Sequence, residues 1–119
     1  MASAPRVAVW IPNLFLRVPV EEAVRTAGGI PVPVAGAAEA TTQGCAVAVV
    51  DLDAAGTAAL TAIAALTRAG VVVLAFGPHV EAEALAAARR SGAVALPRSA
   101  FLARLPELLA MAFATVSRR

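Results

Sequence analysis

Two unbroken apolar segments, AVAVV (46–50) and VVVLAF (71–76), are separated by a helical pattern. Branched side chains stand at consecutive positions in each, so both faces of each strand must be covered. Central strands of parallel sheets have this property, and strands with one wet face do not. The intervening GTAALTAIAALTRAG places Leu60, Ile63 and Leu66 at helical spacing. These three are expected to point inward, with Thr57, Thr61 and Arg68 as a narrow polar stripe. Parallel strands joined by a helix require a right-handed crossover, which puts that helix on one face of the sheet.

The rest of the chain repeats the unit. RVAVWI (6–11) reads as a strand closed by Pro12. In VPVEEAVRTAGG, Val20, Ala23, Val24 and Ala27 share one helical face, Glu21, Glu22 and Arg25 take the other, and Gly28-Gly29 stops the helix. Two starts are open for this helix. Either Pro19 is its first residue, or Asn13 caps it and Pro19 lies inside and kinks it. IPVPV (30–34) carries two prolines and belongs on a sheet edge. GAAEATTQG gives one or two helical turns. VEAEALAAARRSG is a helix ending at Gly92, and AVALP a last short strand. In FLARLPELLAMAFATVSRR, Leu102, Leu105, Leu108, Leu109, Ala112, Phe113 and Val116 form one face, and Pro106 is expected to begin the regular part. Five βα units predict an α/β fold in one domain, residues 1–119: a three-layer α/β/α flavodoxin-like sandwich of five parallel strands, order 2-1-3-4-5. The first and last helices would cover one face, and the middle three the other.

Composition narrows the function. No apolar run approaches the roughly 20 residues of a membrane span, and MASAPRVAVWIP is not a secretory signal. Cys45 is the lone cysteine, reads as a packing residue and forms no internal disulfide, so a cytoplasmic setting is expected. All ten basic residues are arginine, and net charge is +2. They are scattered except at Arg89-Arg90 and Arg118-Arg119, with few aromatics interleaved, which argues against nucleic acid. The segment IPNLFL after the first strand lacks the G-x-G-x-x-G of a dinucleotide fold. No D-x-H-x-x-G pattern, Ser-His-Asp set or His/Cys ligand spacing occurs. The sequence therefore predicts no catalytic residue, no metal site and no cofactor.

The order of elements, with VAVVDLDAAG at the third strand and GAVALPRSAF at the fifth, resembles a response-regulator receiver domain (CheY-like) over nearly the whole chain. VAVWIPNLFLRVPVEEAVRTAGG is similar to the first strand and helix of that family. The resemblance implies a phosphorylated aspartate after strand 3, two acids after strand 1 that hold Mg²⁺, a Thr or Ser after strand 4, and a Lys after strand 5. Asp51 falls on the phosphoacceptor position. VWIPN supplies no carboxylate near Ile11 and Pro12, and Asn13 offers only one neutral oxygen. The Thr/Ser position falls on Ala75, and the lysine position on or beside Arg98. The set is that of a degenerate pseudo-receiver lacking the Mg²⁺-binding pair, and poor or absent phosphorylation of Asp51 is expected, because Mg²⁺ supplies much of the electrostatic stabilisation in phosphoryl transfer.

The residues themselves suggest plainer roles. A buried acid needs a partner, so Asp51 is expected to pair with Arg98 and cap backbone amides. Asp53 is expected to cap the following helix. His79, the lone histidine, sits on the same rim as an exposed helix-start residue, a relay or general-base role being the alternative. Trp10, Asn13, Asp53 and His79 are candidate pocket-rim residues. Trp10, Leu14, Phe15 and Leu16 are expected to pack between the first helix and the sheet, with an apolar plug over Asp51 or an exposed docking surface as alternatives.

Three functions follow. The first is a stand-alone phosphorylation-independent signalling or protein-interaction module, its partner a protein such as a kinase or effector. The second is a working atypical receiver phosphorylated on Asp51. The third is a small-ligand or nucleotide binder at the carboxyl edge of the sheet. A homodimer through helix 4, strand 5 and helix 5 is expected from Glu81, Glu83, Arg89, Arg90 and Arg104, and no membrane partner is expected.

Overall fold

In the computed structural model, residues 4–56, 58–78 and 81–118 are described. Strand β3 (Val47–Asp51) is buried at every position, and β4 (Val72–Gly77) at all but its first. Beside them lie β1 (Arg6–Trp10), β2 (Ile30–Pro33) and β5 (Val94–Pro97), all parallel, in the order β2-β1-β3-β4-β5. The predicted strand order is the observed one. Proline-bearing β2 takes the edge, where missing N–H donors do least harm.

Side chains alternate between two cores. On one face Val7, Val9, Val47, Val49, Leu74 and Phe76 meet α1 (Leu14–Thr26) and α6 (Arg98–Ser117). On the other, Ala8, Ala48, Val50, Val73 and Ala75 meet α2 (Ala37–Thr42), α4 (Ala58–Arg68) and α5 (Ala82–Arg90), with Leu52 of the one-turn helix α3 (Leu52–Ala55). Alanine on the second face lets helices approach closely, so small side chains still exclude water.

The structure decides between the two open starts of the first helix and corrects several other local expectations. Helix α1 begins at Leu14 with Asn13 as cap and Pro19 inside. Pro19 is the sixth residue of that helix, so it removes the bond that a residue there would donate to the Phe15 carbonyl, a local cost that the rest of the helix carries. Its end is closed by Gly29 N–H donating to Val24 carbonyl and by Gly28 at φ +94°, the left-handed conformation glycine adopts readily. Leu60 does not point inward: it is exposed on α4, while Ala59, Ile63 and Leu66 are buried. Helix α6 starts eight residues before Pro106, which lies inside it, and Phe101 takes the core place assigned to Leu102, which is exposed. Helix α6 is long and apolar enough to cross a membrane by length and composition. In this fold Phe101, Leu105, Leu108, Leu109 and Ala112 bury one side of it against the sheet.

Candidate functional site at the carboxyl edge of the sheet

Asp51 ends β3 and is 4% exposed, the one buried polar or charged residue among those described. Its Oδ1 accepts from the backbone N–H groups of Asp53 at 3.1 Å and Ala54 at 3.4 Å. The acid is thus the N-cap of α3, and strand passes into helix with no loop between. A carboxylate there offsets the partial positive charge of the free N–H groups. Asp53, expected to be the cap, sits instead exposed in the first turn of α3, because a helix starts at Leu52, two residues earlier than a cap at Asp53 would allow. Burial raises the Asp51 carboxyl above the ordinary carboxylate range. The amides of Ala54 and Asp53 and the charge of Arg98 pull it down in part, and Asp53 pushes it up.

Arg98 does not form the expected pair. Among the described residues no ion pair within 4.0 Å joins it to Asp51, and its Nε is buried without an acceptor. Arg98 opens α6 immediately after β5, so the backbone directs its side chain from a different element than the cap it was meant to meet. It acts on Asp51 only through space. Coupling between Asp51→Asn and Arg98→Met is therefore expected to stay below about 1 kcal/mol. Unfolding of both single variants and the double variant in urea measures it.

At the end of β1, fully buried Ile11 and exposed Pro12 occupy the places where the acidic pair would stand. Asn13 is committed to α1: its Oδ1 accepts from the N–H of Phe15 at 2.9 Å. Ala75 lies level with Val50 and in the core beneath α4 and α5, on the far side of the sheet from α1 and α6. The residue level with Asp51 is Phe76. It is fully buried, its ring centroid 5.0 Å from that of Phe101 at an interplanar angle of 37°, a tilted arrangement favoured by aromatic quadrupoles. Sequence reasoning missed both rings. No local signal points to them, since the register that brings Phe76 level with Asp51 is a relation between β3 and β4.

The rim is assembled only in part. Trp10 is half-buried against the core beneath α4 and α5. Leu16, in the first turn of α1, is half-buried against the core that α1 and α6 cover. Leu14 and Phe15 are 57% and 91% exposed, so they neither plug Asp51 nor pack between helix and sheet. The cap at Asn13 turns the first turn of α1 outward. His79 lies outside the described residues. Among the described residues no group of three or more His, Cys, Asp and Glu is placed to hold a metal ion. A nearby groove of about 390 Å³ is lined by Leu52, Asp53, Gly56, Ala59, Leu60, Glu81 and Ala84. It touches Asp53 but not Asp51, Asn13 or Arg98.

Neither a protein-family model nor a curated protein matches the chain by sequence. Solved structures do match. A response regulator receiver protein from Pseudoalteromonas atlantica superposes with a TM-score of 0.76 at 10% identity, over 94% of this chain and 99% of that one. The fold is that of a response-regulator receiver domain. An orphan response regulator of H. pylori gives 0.66 at 17% identity, over 92% of this chain and 99% of that one. An atypical orphan response regulator, described as having a phosphorylation-independent regulatory mechanism, gives 0.66 at 17% identity, over 87% and 94%. Within this receiver fold the present edge is chemically sparse. One carboxylate is tied to two amides, an arginine stands off, and two rings fill the level beside it. Mg²⁺ prefers hard oxygen ligands in octahedral array, and the end of β1 provides no carboxylate for it.

Proposed function

We propose that the protein is a non-enzymatic signalling module with a receiver fold, acting through protein contacts without phosphorylation. The observation that carries this reading is the use of Asp51 as the N-cap of α3, beside Phe76 and with no acid at the end of β1. A carboxylate that accepts two backbone N–H bonds is a weaker nucleophile, and phosphoryl transfer needs a cation to neutralise developing charge. The structural likeness to a regulator with a phosphorylation-independent mechanism supports the same view. A cytoplasmic protein, whether kinase or effector, is the expected partner.

Incubation with acetyl phosphate and Mg²⁺, followed by intact-mass measurement, is expected to leave the mass unchanged. A gain of one phosphate that Asp51→Asn abolishes would return Asp51 to the phosphoacceptor role.

Of the charges expected to pair two copies through α5, β5 and α6, four also make contacts within one chain. Glu83 bonds Arg90 at 2.8 Å, Arg104 lies 3.8 Å from Glu107, and Arg89 donates through Nε and an η nitrogen to the Ala95 carbonyl at 3.0 and 2.8 Å.

A further inference from the structure

In IPVPV the prolines recur at the period of a strand, so both must face the sheet or both must face away from it. The N–H and C=O of one residue in a parallel ladder point to the same neighbour, and successive residues alternate sides. In β2 the Ile30 N–H donates to the Pro5 carbonyl at 2.8 Å and the Val34 N–H to the Val9 carbonyl at 3.1 Å, both toward β1. Pro31 and Pro33 therefore face outward, where neither supplies a donor. The outward N–H groups on either side of them are used within the chain. Gly29 donates to the Val24 carbonyl at 2.9 Å, and Ala35 to Glu39 Oε1 at 3.2 Å. From Gly29 to Ala35 this edge offers a second strand no free N–H.

The other edge is closed by different means. The Val72 N–H donates to the Ala46 carbonyl at 3.0 Å, so Val73, Ala75 and Gly77 of β4 turn toward β5. With Ala75 level with Ala95, the ladder takes Val94 and Leu96, and Ala93, Ala95 and Pro97 face outward. The Ala93 N–H donates to the Ala88 carbonyl at 3.1 Å, and Pro97 has no N–H. Arg89, in the last turn of α5, reaches over the edge to the Ala95 carbonyl, donating through Nε at 3.0 Å and Nη2 at 2.8 Å. Its rigid fork occupies an acceptor that an incoming strand would need. We infer that Pro31, Pro33 and Arg89 seal the two edges of the sheet against an added strand, and that Arg89 is a lock on β5. An exposed edge is a template for another chain, and proline, charge and a covering helix are the devices that blunt it. The sealed edges refuse an extended peptide, one of the recurring modes of partner recognition. This goes beyond the proposed signalling role and does not depend on it.

Pro31→Thr with Pro33→Thr restores two outward donors on β2. Arg89→Met frees the Ala95 carbonyl and keeps an apolar stem beside it. The two edges are opened separately and together, so a variant that fails to fold leaves the other edge to decide. Each protein is followed by sedimentation velocity from about 10 µM to about 1 mM and by its infrared amide I spectrum, in which strands paired between molecules give a band of their own. The intact chain is expected to lack that band throughout. The protein with both edges open is expected to show it and to associate about tenfold more tightly than the intact chain. Arg90→Met, one residue along α5 and away from the Ala95 carbonyl, should behave as the intact chain does. An intact chain that shows the band overturns the inference. Opened edges that pair no more than the intact chain also overturn it. Arg90→Met matching Arg89→Met would trace the effect to lost charge and overturn the role of Arg89. None of these results bears on the acetyl phosphate experiment, which probes Asp51 alone.

Discussion

Phe101→Ala lowers the unfolding free energy by about 3–5 kcal/mol, with a fall in melting temperature on the order of 10–20 °C. Phe101 is fully buried in the first turn of α6 and packs on Phe76, which lies level with Asp51. The loss has two parts: the transfer of a large ring's area, and the cavity left when neighbours relax incompletely. Relaxation is limited here because Leu105 and Leu109, next along the same buried stripe, are tied to the helix that Phe101 anchors. Phe101→Leu, which keeps most of the volume, is expected to recover more than half of the loss. Urea unfolding of the three proteins measures both numbers. A Phe101→Ala loss below about 1 kcal/mol would mean the two rings do not fill the site as described.

Asp51→Asn is the second large effect, and it has the opposite sign. Asparagine retains a side-chain oxygen for the N–H groups of Asp53 and Ala54 and is an equally good N-cap, but carries no buried charge. The folded Asp51 carboxyl is raised above its unfolded value, chiefly by burial. Between the two values the folded state holds more protons than the unfolded, so stability falls as pH rises through that window. Above it the ionised acid is a constant liability. The asparagine variant is therefore expected to be more stable at neutral pH by about 1 kcal/mol, a few degrees in melting temperature. The parent should gain on it as pH falls from neutral toward the ordinary carboxylate value. Asp51→Ala, which loses the cap as well, should fall below Asp51→Asn at every pH. Melting curves from pH 4 to pH 8 decide the matter. A parent that is more stable than Asp51→Asn at neutral pH would show that the carboxylate has a cationic partner after all.

The two predictions concern residues that the sequence displayed very differently. Asp51 was conspicuous, an acid closing an apolar strand, and its capping of backbone amides was expected. Its expected partner was not found, because Arg98 begins a helix from β5 and its guanidinium stops short of the carboxylate. Phe76 and Phe101 were inconspicuous: one more apolar residue at a strand end, and one more in an apolar helix. Their importance depends on which residues of β3, β4 and α6 come level, and that is a relation between segments distant in the chain. Local periodicity does not contain it. Phe15 shows the converse error. An aromatic beside a strand end is most often buried, yet the Asn13 cap sets the phase of α1 so that this ring faces water.

Sequence alone determined the alternation of strands and helices, the central places of β3 and β4, the edge place of β2 and, with the doubly wound pattern, the order β2-β1-β3-β4-β5. These follow from an apolar run on both faces, a proline without an N–H, and the strand order that repeated βα units adopt in doubly wound sheets. Tertiary structure alone decided the one-turn helix after Asp51, the stand-off of Arg98, the Phe76–Phe101 contact and the outward face of Leu14, Phe15 and Val18. Each of these depends on helix phase or strand register. A single-residue change in either moves a side chain to another face, and only packing of the assembled layers selects among the possibilities.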